Sequence, residues 1–218
     1  MKYNKKHIIF ILIILMRINM VFALTSEEII KKIKETLKNA NTMNAEFKQI
    51  INNVSLKNKQ IIFGTFKLKR PDKLLMTYEK PKEMRQKLII NGNNFWLYLE
   101  NNNQIMKKKV IDSEKEVEKQ IFPWMENLNV YNIQILTKEE KYIKLVVSPK
   151  EKEEAPEKFK KFMVHIDPSR WIVVYTYMLD LSDNEIEFYF DNIKFNKNIS
   201  DNEFEFISPP GAEILEGE

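Results

Sequence analysis

Few residues in this sequence have the chemistry of a reactive site. There is no cysteine, and the two histidines are His7 and His165. His165 lies in "FMVHIDP", on the polar side of an alternating run, where a lone imidazole reads as a surface group rather than a base or a ligand. With no thiol and no clustered histidine, neither a metal-ligand spacing nor a Cys/His nucleophile can be assembled. No glycine-rich phosphate loop occurs. The acid pairs Glu139-Glu140 and Glu153-Glu154 fall in a turn and a charged loop. A hydrolase would need two facing carboxylates, and nothing singles such a pair out. The expectation is a protein with no catalytic residue, no metal and no cofactor.

One charged side chain does stand out of pattern. In "GTFKLKRPDKLLMTYEKP", residues 64–81, Gly64, Phe66, Leu68 and Arg70 share one side of an extended strand, because strand side chains alternate. Thr65, Lys67 and Lys69 share the other, wet side. Arg70 thus places a guanidinium at the end of an apolar face. Arginine can snorkel from a sheet edge, or its five N–H donors can satisfy carbonyls that lack partners. Pro71 ends the strand directly after it, since proline cannot donate to the ladder.

The elements that must position this residue are legible in the periodicity. "LTSEEIIKKIKETLKNANTM" is an amphipathic helix, with Thr25 and Glu28 at capping-box spacing and Ile29, Ile30, Ile33 and Leu37 on one stripe. From residue 44 the period becomes two. Apolar runs alternate with polar turns such as "NNVSLKN", Asn91-Gly92 and "ENNNQ", which is the pattern of an antiparallel meander. "DSEKEVEKQIFPWMENLNVY" interrupts it, and Ser113–Leu128 reads as one or two short helices. Strands then resume through "IEFYFDNIKF". The fold class expected is mainly β with α: an incomplete, unclosed antiparallel β-barrel of about ten to eleven strands. The N-terminal helix and short central helices would act as its lid.

Large apolar side chains are the notable resource. Alternation places Phe66 and Leu68, then Leu74, Met76 and Tyr78, then Trp96 and Tyr98, on strand faces. Most such residues fill a core. A curved sheet of this width with a single clear helix also leaves a hollow able to hold an apolar ligand.

The ends and charges fit export. Residues 1–23 carry Lys2, Lys5, Lys6 and Arg17, an apolar run Ile8–Met16, and Val21-Phe22-Ala23. This is the layout of a cleaved secretory signal peptide, leaving residues 24–218 as one domain. Of the 35 basic and 31 acidic residues, the four bases of that segment have no acidic counterpart. The remainder is charge-balanced, so no nucleic acid partner is expected.

Phe47 and Gln49 in "F-x-Q", then "GTFKLKRPDKLLMTYEKP", "LIINGNNFWLYL" and "FEFISPPGAEIL" follow in order. Together they resemble the periplasmic outer-membrane lipoprotein carrier family, the LolA type, over essentially all of residues 24–218. The resemblance implies a carrier rather than an enzyme. Arg70 would hydrogen-bond backbone carbonyls of the lid and hold it closed. The acyl-chain cavity would involve Phe47, Phe66, Leu68, Leu74, Met76, Tyr78, Trp96 and Tyr98. The implied partners are acylated lipoproteins, an inner-membrane ABC-type release complex, and an outer-membrane receptor or the outer membrane itself, with the chain acting as a periplasmic monomer. The missing cysteine sets it apart from the receptor of the same fold, which is itself lipid-anchored. A lipid- or lipoprotein-sensing module of the same fold is the alternative.

Overall fold

In the computed structural model, residues 24–109, 128–138, 141–150 and 159–216 are described. The expected signal peptide lies outside them, and so does the expected central helical segment apart from Leu128, which opens a short 3-10 turn, Leu128–Val130.

The first element is helix α1 (Ser26–Lys38). Its capping box is complete: the Thr25 hydroxyl accepts from the Glu28 N–H, and the Glu28 carboxylate accepts from the Thr25 N–H at 2.8 Å. Two of the orphan donors at the helix start are thereby satisfied. The stripe Ile29, Ile30, Ile33 and Leu37 is buried.

Eleven strands follow the meander read from the period of two. The first six are β1 (Thr42–Asn53), β2 (Asn58–Lys69), β3 (Lys73–Lys80), β4 (Gln86–Asn91), β5 (Asn94–Leu99) and β6 (Gln104–Lys109). The next five are β7 (Tyr131–Lys138), β8 (Ile143–Pro149), β9 (Phe159–Asp167), β10 (Ile172–Asp180) and β11 (Glu185–Phe195). Gly92, at φ +60°, makes the tight connection from β4 to β5, a conformation natural to glycine.

All strands among the described residues join one sheet in the order β12-β6-β5-β4-β3-β2-β1-β11-β10-β9-β8-β7. The twelfth, β12 (Glu213–Glu216), lies parallel to β6, with Ile214 opposite Ile105. The count therefore exceeds the ten to eleven expected. Four residues are too few to show alternation, and a parallel partner so distant in sequence leaves no local signal. With β12 and β7 at opposite edges the barrel is not closed.

The two faces have different coverings. On the inner face, α1 packs against β10 and β7. Its isoleucines join Ile143, Leu145, Val147, Val164, Ile166, Ile172 and Val173 in the core. Burying a large aliphatic side chain is worth about 1.5–3 kcal/mol, so this stripe holds the helix down. The outer face of β2 to β6 is covered by the C-terminal segment. Phe204 and Ile199 are buried there, as are Ile89 and Ile105 beneath. Lys69 and Lys73 both pair with Asp201, at 2.6 and 3.2 Å, and Lys67 pairs with Glu203. Lys67 and Lys69 are thus strapped to the C-terminal segment rather than simply wet, a contact that alternation cannot reveal.

This strap has a pH dependence. Hydrogen bonds from Lys69 and Lys73 hold the Asp201 carboxyl below the usual carboxylate range. A depressed folded-state value means the contribution is complete above the unfolded value of about 3.9 and is lost as pH falls through the folded one. Amide protection over residues 199–206, measured against the intrinsic exchange rate at each pH, is expected to fall on acidification below about pH 4. In Asp201→Asn protection should already be lower at neutral pH, with the acid response reduced. Equal exchange in the two proteins at every pH would remove Asp201 from this role.

Candidate functional site

Arg70 sits one residue past β2, in the turn to β3. Its N–H donates to the Asn41 carbonyl at 2.9 Å, extending the β1–β2 ladder by one rung. That fixes its backbone beside the chain leaving α1. From there Nε donates to the Ala40 carbonyl at 3.0 Å and Nη2 to the Leu37 carbonyl at 2.8 Å. Both carbonyls lie at the C-terminal end of α1, where intrahelical donors run out. The cation is also well placed against the negative end of the helix dipole. Arg70 is therefore bound to the helix end and does not merely snorkel outward.

Beside it the inner face holds an apolar cavity of about 210 Å³. Leu74, Met76 and Tyr78 of β3 form one wall, and Phe66 of β2 and Phe188 and Phe190 of β11 another. Leu88, Ile90 and Phe95 of β4 and β5 complete it, with Thr176 from β10. Register explains the set: Leu74 faces Leu68 and Ile90, Met76 faces Phe66 and Leu88, and Tyr78 faces Gly64. Burial pushes the Tyr78 phenol up, so it stays neutral at any physiological pH. A narrower hollow lies beneath α1, lined by Ile33, Leu37, Met43 and Ala45 and sharing Phe66 and Phe190 with the first. Those two rings separate the space under the helix from the open chamber.

Four of the expected cavity residues, Phe66, Leu74, Met76 and Tyr78, line this chamber. Phe47 stands behind it, edge-on to Tyr78 at 5.1 Å and to Phe188 at 5.8 Å. Leu68 is buried in the core. Trp96 and Tyr98 require a correction. Their β5 neighbours Phe95 and Leu97 pair with the inward Ile90 and Leu88, so the alternation turns Trp96 and Tyr98 outward. There they contact Phe206 of the C-terminal segment, at 5.9 and 6.2 Å between ring centroids. Sequence alternation separates the two faces of β5 but cannot say which points inward, because both are apolar. Leu88 and Phe95 were missed, Phe95 for the same reason; Phe188 and Phe190 stand out in the sequence as an apolar row alternating with Glu187 and Asp191, and only the pairing of β11 with β1 brings them to this chamber.

A larger groove, about 950 Å³, opens on the outer face. It contains His165, between Tyr142 and Tyr175 with ring centroids 6.0 and 4.5 Å away. Tyr175 and Tyr189 both donate to Glu187, at 3.0 and 2.7 Å. Burial and that carboxylate push the Tyr175 phenol up. Charged side chains such as Lys141, Asp167, Arg170 and Asp191 line the groove, so it is unsuited to an apolar ligand. Among the described residues no cluster of three or more potential metal-ligating side chains forms, and no helix is long and apolar enough to cross a membrane.

The family model described as "Outer membrane lipoprotein carrier protein LolA" matches residues 38–207. The chain belongs to the LolA family. The matched span runs from the last residue of α1 through the Arg70 turn and both walls of the chamber to the strap. An outer-membrane lipoprotein carrier protein of Francisella tularensis is 24% identical over 216 residues, covering 97% of each chain. Among solved structures, an uncharacterized conserved protein from Thermus thermophilus superposes with a TM-score of 0.60 at 12% identity, covering 89% of this chain and all of that one. The lipoprotein LppX of Mycobacterium tuberculosis gives 0.51 at 12% identity, covering 81% and 100%. At such identities the structures show a shared fold, the open barrel with its helix.

Proposed function

We propose that this LolA-family chain is a periplasmic carrier. It takes the acylated end of a lipoprotein from an inner-membrane ABC-type release complex into its inner cavity and gives it up at the outer membrane. The observation that carries this reading is the pairing of two features. An apolar chamber shares Phe66 and Phe190 with the hollow beneath a helix whose C-terminal carbonyls are held by one arginine on the barrel rim. The task is physical rather than chemical. At ~0.8 kcal/mol per methylene, exposing a triacylated terminus to water costs on the order of 30 kcal/mol, so the lipid crosses an aqueous space only if shielded.

The chamber is smaller than the ~300–1,000 Å³ usual for ligand cavities. Loading more than part of one acyl chain therefore needs α1 to move, merging the chamber with the hollow behind Phe66 and Phe190. Leu, Met and Phe linings suit this, since they bind apolar chains without fixed geometry. Residues 1–23 supply export and are removed, and the carrier works as a monomer.

Depletion of the protein in its host tests the role. A carrier's loss leaves lipoproteins at the inner membrane, and the protein recovered from periplasm carries them as a mass-detectable complex. Normal lipoprotein distribution after depletion would sink the carrier role. Co-purified lipid under that same condition would favour the sensing module instead.

A further inference from the structure

We propose that Phe47, packed over Gly64, is the backstop of the chamber and sets the length of acyl chain it accepts; this rests on the carrier reading above. The register places Phe47 of β1 directly opposite Gly64 of β2 and Phe190 of β11. A Cβ added at Gly64 would lie 2.5 Å from Phe47 Cζ and 2.9 Å from its Cε1. The Thr77 carbonyl oxygen is nearer still, at 2.1 Å, so that carbonyl and the ring together fill the space a side chain at position 64 would need, and glycine is what permits both. Held there, the ring meets Tyr78 edge-on at 72° and Phe188 at 60°. Both of those line the chamber, and Phe47, just outside the lining, backs the end that they close. Beyond them the next inward pair, Gln49 and Ile62, is buried and in register. The opposite end, at Leu74, Ile90 and Phe95, is the one nearer the Arg70 turn.

A chamber stopped at one end reads chain length. The terminal methyl of an acyl chain meets the rings, and every further methylene stays outside in water. Each methylene kept out forgoes about fourfold in affinity. Removing the ring of Phe47 extends the chamber into the space over Gly64, which holds no side chain of its own.

The test uses the protein without its first 23 residues and a series of S-acylated cysteinyl peptides lengthened in two-carbon steps. For the unaltered protein, affinity is expected to rise with length and then level off. In Phe47→Ala the levelling-off point moves to longer chains, and the longest probe binds about tenfold tighter or more. In Phe47→Trp it moves to shorter ones. Should the alanine variant lose its native circular dichroism, Phe47→Leu, which keeps more of the packing, gives the same direction with a smaller shift. An unchanged length profile in folded variants overturns the backstop while leaving the carrier reading standing. Failure of the unaltered protein to bind any member of the series overturns both.

Discussion

Arg70→Leu is expected to fold and to bind acylated cargo, yet to release it about a hundred times more slowly or more. The fold survives because α1 is held chiefly by Ile29, Ile30, Ile33 and Leu37, all buried. What disappears is the pair of charge-assisted bonds to the Leu37 and Ala40 carbonyls, each worth about 1.5–3 kcal/mol when charged groups are involved. On the carrier reading proposed above, those bonds belong to the closed, empty form, since a helix displaced by cargo would carry its carbonyls away. A ligand's apparent affinity depends on how much the competing empty form is favoured, with 1.4 kcal/mol corresponding to tenfold. Destabilising the closed form therefore makes cargo stick. Arg70→Lys should recover only part of the effect, because an ammonium is a point donor and cannot span two carbonyls as the guanidinium fork does. A transfer assay from loaded carrier to acceptor vesicles reads this directly. Wild-type release from Arg70→Leu would show that the arginine is not the latch.

Phe204→Ala is expected to cost about 3–5 kcal/mol of stability, the range for a fully buried aromatic replaced by alanine. Phe204 is 0% exposed, and Asn91 donates to its carbonyl at 3.4 Å. It pins the C-terminal segment to the outer face of β3 and β4. Chemical denaturation measures the loss. The same variant frees the segment carrying Phe206, so the environment of Trp96 should change as well. Acyl ligands should leave Trp96 emission unaltered, since its ring faces away from the chamber. A ligand-dependent Trp96 signal without loss of Phe206 packing would return Trp96 to the cavity.

The contrast between these two residues marks how far the sequence could be read. Arg70 was visible because it broke a pattern: a guanidinium after Phe66 and Leu68 has to be explained, whatever the fold. Trp96 broke nothing. It alternates with residues as apolar as itself, so the rule that separates faces could not orient them. Phe47 lay between these cases. The run around it predicts a strand, but its role depends on Gly64 of the neighbouring strand, and only pairing brings the two together.

By itself the sequence determined α1 with its capping box, the strands β1 to β11, the absence of thiol chemistry, and Arg70 as the anomalous group. These depend on neighbours within a turn or a pleat, and local periodicity encodes such neighbours. The tertiary structure decided which face of β5 points inward and that residues 199–216 strap the outer face. It also decided that β12 lies parallel to β6, and that Arg70 reaches the end of a helix some thirty residues away in the chain. Those outcomes come from register and sheet curvature, set by the joint packing of the twelve strands among the described residues. A shift of one residue in any strand would exchange its inner and outer sets, and no local stretch of sequence fixes that choice.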